Sequence, residues 1–487
     1  MSLFDMSHRR PLATSHLEVS SLVLVLSILL VTGCGGGSKS ATEPPPPLKA
    51  LEWAWISGSS SLNAAPFYGT QGVSSATNAP GARTNAVSWI DSAGNLWLFG
   101  GIGIDSAGNS GDLNDLWKYN PNANTWAWIS GSKISNASGI YGTQGTSSSD
   151  NIPGARTGAV SWTDMDGNFW LFGGTGVDSQ GDSGLLSDLW EYHSGSNTWV
   201  WIDGSSVRDA AGIYGTKGSP ATNNAPGART GAVSWTDSAG NLWLFGGTGF
   251  DSQNSSDLLN DLWKYNPTNK TWAWISGSSV RDAVGVYGTK GNPSSSNVPG
   301  ARNLVVAWID STGDLWLFGG YGIDLVGTTG DLNDLWKYNP STNSWSWVSG
   351  LNLVNSNVAY GTKGTPSASN FPGARQEAVT WVDADGNFWL FGGVGNALAG
   401  SSGDLNDLWE YSPTANTWTW ISGSNEADAR SVYGSKDTNS PTITPGGRQD
   451  AIAWIDSSDA LWLFGGYGLD AFGNTGNHND LWKFPLK

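Results

Sequence analysis

Four short apolar runs recur along the chain, each closed off by turn residues. In the first complete unit they are residues 86–90 (Ala-Val-Ser-Trp-Ile), 96–99 (Leu-Trp-Leu-Phe), 115–119 (Asp-Leu-Trp-Lys-Tyr) and 125–129 (Thr-Trp-Ala-Trp-Ile). Aromatic and β-branched residues dominate these runs and each is too short for a helix, so the pattern predicts strands. The first and second are joined by Asp91-Ser92-Ala93-Gly94-Asn95, the third and fourth by Asn120-Pro121-Asn122-Ala123-Asn124. Both are five-residue connections made of residues that favour tight turns.

This unit repeats. The first Trp of a Trp-x-Trp pair falls at 53, 126, 199, 272, 345 and 418, always 73 residues apart. A Gly-Gly doublet begins at 100, 173, 246, 319, 392 and 465 in the same register. All 30 Trp fall in five such columns. Truncating a buried Trp costs about 3–5 kcal/mol, against a folding stability of about 5–15 kcal/mol. Registry this strict therefore points to packing between repeats before sugar stacking. Four-stranded units repeated without helices predict a propeller. Residues 51–57 match only a fourth strand, and the chain stops after a third strand at 480–484. The N-terminal strand is therefore expected to complete the last blade and close the ring, leaving no open edge.

An apolar strand ending in Gly-Gly, followed by a Tyr and, seven positions later, a Trp, resembles the kelch motif. Here these are 96–99, Gly100-Gly101, Tyr119 and Trp126, with the same Tyr and Trp spacing at 192/199, 265/272, 338/345 and 411/418. The resemblance implies an all-β, six-bladed kelch-type β-propeller over residues 51–487. The unit is longer than a usual kelch repeat, and the sixth copy has Phe484 in place of Tyr.

A formal charge of −17 argues against a nucleic-acid partner, because phosphate binding needs clustered Lys and Arg. Cys34 is the sole thiol, so disulfides and thiolate metal sites within the repeats are excluded. Residues 1–33 read as a signal peptide: Arg9 and Arg10 precede an apolar run at 22–31, about half the ~20 residues needed to span a bilayer. Val31-Thr32-Gly33-Cys34 resembles the lipobox of bacterial lipoproteins, which implies cleavage before Cys34 and lipid on its sulfur. Residues 34–50, Gly/Ser-rich and then Pro-rich, read as an extended tether. The expected location is the bacterial cell envelope, anchored at the outer membrane on its periplasmic side or at the cell surface, with membrane contact through the lipid alone.

Antiparallel parity puts the long connections, 101–114 and 132–154, on one face and the five-residue turns on the other. Long loops on a rigid scaffold commonly carry binding. These loops repeat a Tyr-Gly-Thr-(Gln/Lys)-Gly element at 141–145 and 214–218, which either packs over its own blade or forms equivalent binding sites. Arg83, Arg156, Arg229, Arg302, Arg375 and Arg448 precede the innermost strands and are expected around the channel mouth. Each either pairs with the Asp column at 115, 188, 261, 334, 407 and 480, or holds an anionic ligand bidentately. Two residues after each Arg stand Asn85, Gly158, Gly231, Leu304, Glu377 and Asp450. The last two bring carboxyls to adjacent blades, where they are either ordinary polar substitutions in a wet channel or, given burial to shift one pKa, an acid/base pair. The six Arg, Glu377 and Asp450 are thus the candidate binding residues.

Metal chemistry is not expected. His8 and His16 lie in the leader and His193 and His478 stand apart, which is no ligand cluster. Loops such as Asp105-Ser106-Ala107-Gly108-Asn109 offer oxygens to Ca²⁺ but lack EF-hand spacing and read as turns. No nucleophile motif or phosphate-binding loop occurs, so no catalytic set or cofactor is expected. The leading expectation is a monomeric, non-catalytic binding or scaffold module for protein or glycan, working through the long-loop face. The alternative implied by the resemblance is a periplasmic metal-free sugar isomerase or mutarotase, since some six-bladed kelch propellers act on sialic acids. Arg375, Glu377, Arg448 and Asp450 would be its groups.

Overall fold

The computed structural model describes residues 51–486; the signal peptide, Cys34 and tether expected at 1–50 lie outside the described residues. Among the described residues there are six four-stranded antiparallel sheets and no α-helix. They form a six-bladed β-propeller. In the first blade the order from the channel outward is Val87–Ile90, Leu96–Phe99, Leu116–Asn120, Thr125–Ser130. The innermost strand alternates: Val87 and Trp89 are buried, whereas Ser88 and Ile90 are half-exposed toward the central bore. The second strand is buried at all four positions, as expected for a strand covered on both faces.

Adjacent blades are stitched through their Trp side chains. The Trp89 indole Nε1 donates to the Trp162 carbonyl at 3.0 Å, and Trp454 of the last blade donates to the Trp97 carbonyl of the first at 3.3 Å. Trp199 packs at 5.4 Å from Phe99 of the preceding blade. The Gly-Gly doublet allows this approach. Gly100 has φ 71°, and a Cβ there would lie 2.8 Å from the Arg156 carbonyl of the next blade; no L-residue side chain fits.

The split blade closes the ring as the sequence predicts. Ala54–Ser57 pairs antiparallel with Leu481–Pro485, placing Trp55 opposite Trp482. Trp53 is fully buried, 5.4 Å from Phe391 and 5.1 Å from Phe484.

Each repeat also carries a second, three-stranded sheet that its apolar pattern did not announce. In the first repeat it consists of Arg83–Thr84, Ile102–Ile104 and Ser110–Asp112. This hairpin rises from the long-loop end of the blade. The Tyr-Gly-Thr-x-Gly element packs over its blade: the Tyr141 hydroxyl donates to Asp188 at 2.6 Å, and Gln144 and Asn151 cap the Ile202 and Trp199 carbonyls. Of the two readings of that element, the structural one holds.

Candidate functional site

The six arginines are not a ligand-binding ring, which corrects one expectation. Each is at most 1% exposed. The Arg83 guanidinium donates to both Asp115 oxygens, at 2.6 and 2.8 Å, and to the Gly81 and Gly100 carbonyls. Arg156–Asp188, Arg229–Asp261, Arg302–Asp334, Arg375–Asp407 and Arg448–Asp480 repeat the bidentate pair. Asp115 further accepts Tyr68 Oη and Trp117 Nε1. Four of the five N–H donors of Arg83 are engaged in this way and the group is sealed from solvent, so it is not presented to a ligand. Its burial is tolerable only because it is paired. Arg375 and Arg448 therefore also drop out of any catalytic set.

Two residues beyond each Arg, the chain builds a closed ring around the bore. Asn85, Gly158, Gly231, Leu304, Glu377 and Asp450 all have left-handed backbones, with φ of 56°, 62°, 64°, 52°, 59° and 51°. Their peptides form one closed ring of hydrogen bonds. Each amide donates to the carbonyl of the preceding blade, from Gly158 to Asn85 through Asp450 to Glu377, and Asn85 completes the circle by donating to Asp450. Asn and Gly tolerate this conformation, whereas a Leu or Glu is strained there. Such outliers concentrate where strain serves a function.

The ring surrounds a cavity of about 160 Å³ whose lining includes both Glu377 and Asp450 and contains no Lys, Arg or His. Because every ring amide is committed to a neighbouring carbonyl, none remains to stabilise a carboxylate. Burial, followed by the nearby charges of Asp404 and Asp331, pushes Glu377 up to about 7. Burial and then the Glu377 charge hold Asp450 well above the carboxylate range. Two carboxyls so coupled titrate as a pair and retain a proton near neutrality. Chemically the pair can donate and accept hydrogen bonds or hold a cation. Asp331 and Asp404, on the hairpins of the fourth and fifth repeats, are themselves raised to about 6 by burial.

The asymmetry extends beyond these carboxyls. Thr84, Thr157 and Thr230 back the ring carbonyls with their hydroxyls, where the fourth to sixth blades carry Asn303, Gln376 and Gln449. The hairpin-base column reads Ile102, Thr175, Thr248, Tyr321, Val394 and Tyr467, so its two aromatic members fall in the later blades. The Glu377 and Asp450 steps, and the change from Thr to Asn303, Gln376 and Gln449, are readable beside the Arg column. The Tyr321 and Tyr467 step emerges once the hairpin at 101–114 is aligned column by column.

A larger cavity, about 490 Å³, opens at the short-turn end of the bore. Its lining is Trp, aliphatic and hydroxyl side chains such as Ile90, Thr163, Ser234 and Val382, with no ionisable group. The loops that offered oxygens to Ca²⁺ use them locally: Asp105 accepts the amides of Ala107, Asn109 and Ser135. No cluster of three or more metal-ligating side chains occurs among the described residues.

No family model matches the chain. Two curated relatives, the N-acetylneuraminate epimerases of Shigella flexneri serotype 5b (strain 8401) and of Shigella flexneri, are 40% identical to it over 48 residues. That stretch is 10% of this chain and 13% of each relative, so the likeness spans less than one repeat.

Proposed function

We propose that this chain is a non-catalytic binding module of the bacterial envelope, tethered through Cys34, that takes a protein or glycan ligand at the long-loop mouth of its channel. The observation that carries this reading is the placement of Glu377 and Asp450 side by side in a ring without a basic residue, where the other blades carry neutral residues on the same left-handed backbone. Strain and uncompensated carboxyls both cost stability, and a ligand supplying hydrogen-bond donors or positive charge would offset that cost. The test is a glycan array and an envelope pull-down with wild type and Glu377→Gln/Asp450→Asn. Ligands retained by wild type and lost by the variant support the reading; equal retention contradicts it.

A second reading, a metal-free sugar mutarotase, is favoured by the coupled pair, which can take up and return a proton, and by the short likeness to the epimerases. An anionic sugar, however, would meet carboxyls here, since the arginines are spent on Asp. Anomer exchange of N-acetylneuraminate followed by NMR decides. A rate above buffer that falls in Glu377→Gln establishes the enzyme, and a rate equal to buffer rejects it.

A further inference from the structure

The hairpin tips divide the long-loop face into two halves. In the first three repeats the two residues after the turn Asp are Ser106-Ala107, Ser179-Gln180 and Ser252-Gln253. In the fourth and sixth they are Leu325-Val326 and Ala471-Phe472, and Leu398 takes the first position in the fifth. Phe472 is 79% exposed and Val326 70%, with Leu325 and Leu398 also exposed. Tyr321 and Tyr467 stand exposed at the hairpin bases of the same half. Exposed side chains at Phe67, Ile140, Ile213, Val286 and Val432 recur around nearly the whole ring and give no direction. The tips do, because they break the repeat on one side only.

That half also holds the acidic mouth. Glu377 and Asp450 belong to the fifth and sixth repeats; in the hairpin column Asp112 of the first repeat, likewise raised to about 6 by burial, joins Asp331 and Asp404 of the fourth and fifth. Asp404 is 9% exposed, its carboxylate has no hydrogen-bond partner among the described residues, and its charge is felt at Glu377. Arg430, beside Gly473 at the base of the Phe472 tip, is an exposed cation of the arc and lies outside the mouth cavity. The tips lie outward of the mouth, where Leu325 and Leu398 donate their amides to the Asn352 and Asn425 carbonyls of the loops after the outermost strands. A segment reaching from the charged mouth past Tyr321 and Tyr467 therefore meets exposed apolar side chains, as on a protein-docking surface, and complementary charge steers the partner.

Resting on the binding reading above, we propose that the partner is a protein segment that inserts one Lys or Arg side chain into the mouth and lays flanking apolar side chains across the tips of the fourth to sixth repeats. A basic group there meets Glu377 and Asp450 directly, and its flanks cover Val326, Leu398 and Phe472. A glycan satisfies the carboxyls but leaves the tips uncovered.

The experiment pans a displayed library of random dodecapeptides on the full chain, then measures affinities of the enriched peptides by fluorescence anisotropy. Enriched sequences should carry Lys or Arg flanked by Leu, Phe or Trp. Their affinity should fall at least tenfold in Glu377→Gln/Asp450→Asn and, separately, in Val326→Ser/Phe472→Ser. It should hold in Gln180→Ala/Gln253→Ala, whose exposed tips lie in the other half. No enrichment, acidic consensus sequences, or affinities indifferent to both variants would overturn the inference. A glycan bound by wild type and lost in the carboxyl variant, with no peptide selected, would overturn it while leaving the mouth as the binding site.

Discussion

The Asp450 carbonyl accepts the Asn85 amide at 2.9 Å, joining the last blade to the first in the ring around the channel. At the outer edge of the last blade, the strand at Ala54–Ser57 completes the sheet. Replacing Trp53 by Ala removes a fully buried indole from between Phe391 and Phe484. It should lower stability by about 3–5 kcal/mol, read from denaturant melts. Deleting residues 51–57 should expose the edge of Leu481–Pro485 and cause aggregation, visible by light scattering. A deletion that melts like wild type would mean that the blade closes otherwise.

Arg229→Met leaves Asp261 buried with its charge uncompensated. Breaking one side of such a pair costs about 3–5 kcal/mol, so the variant should be clearly destabilised. Arg229→Met/Asp261→Asn should cost less than the sum of the two single changes, since the orphaned charge is gone. A single variant as stable as wild type would return the arginines to the list of ligand groups.

Leu304 occupies the left-handed region at φ 52°, where a residue of its type is strained by about 1–2 kcal/mol. Leu304→Asn should therefore stabilise the protein, against the usual trend for replacing an apolar residue, with a rise in melting temperature. A fall would show that Leu304 packing outweighs the backbone term.

The fold was legible because every blade repeats the same column chemistry: Trp for packing, Gly-Gly for close approach, Asp for turns. That the long connections leave from one end of the blades was legible from strand parity. The fate of the arginines was open, since Asp115 and its equivalents lie in register but sequence spacing does not reveal whether a guanidinium turns inward to a partner or outward to the bore. The channel ring was half visible. Glu377 and Asp450 stand out against Asn and Gly in the same column, but the ring of peptide hydrogen bonds belongs to blades that meet only in three dimensions. The small hairpin sheets were missed because three-residue strands such as Ile102–Ile104 are too short to show alternation.

His478 replaces the buried Leu of the other repeats, Leu113, Leu186, Leu259, Leu332 and Leu405. Burial, and then the Arg448 guanidinium, push it down to about 4, with Asp480 at 3.6 Å opposing. A histidine neutral in the fold but protonated when unfolded contributes stability that is complete above its ordinary 6.5 and is lost as pH falls toward 4. The loss should be about 2 kcal/mol between pH 8 and pH 5. His478→Leu should remove that part of the slope in denaturant melts across this range. An unchanged slope would assign the dependence to other groups.

The Glu377 and Asp450 pair carries the opposite sign. Carboxyls raised by the fold favour the folded state fully below about 4.5 and weaken it as pH rises to 7. Asp450→Asn should therefore stabilise the protein more at pH 8 than at pH 5. The most direct test of the account follows the carboxyl carbons of ¹³C-labelled protein by NMR through a pH titration. Glu377 should titrate near pH 7, Asp450 should respond in the same steps, and Glu377→Gln should lower the Asp450 midpoint. Two independent midpoints in the ordinary range of about 4–4.5, unaffected by each other's removal, would contradict it.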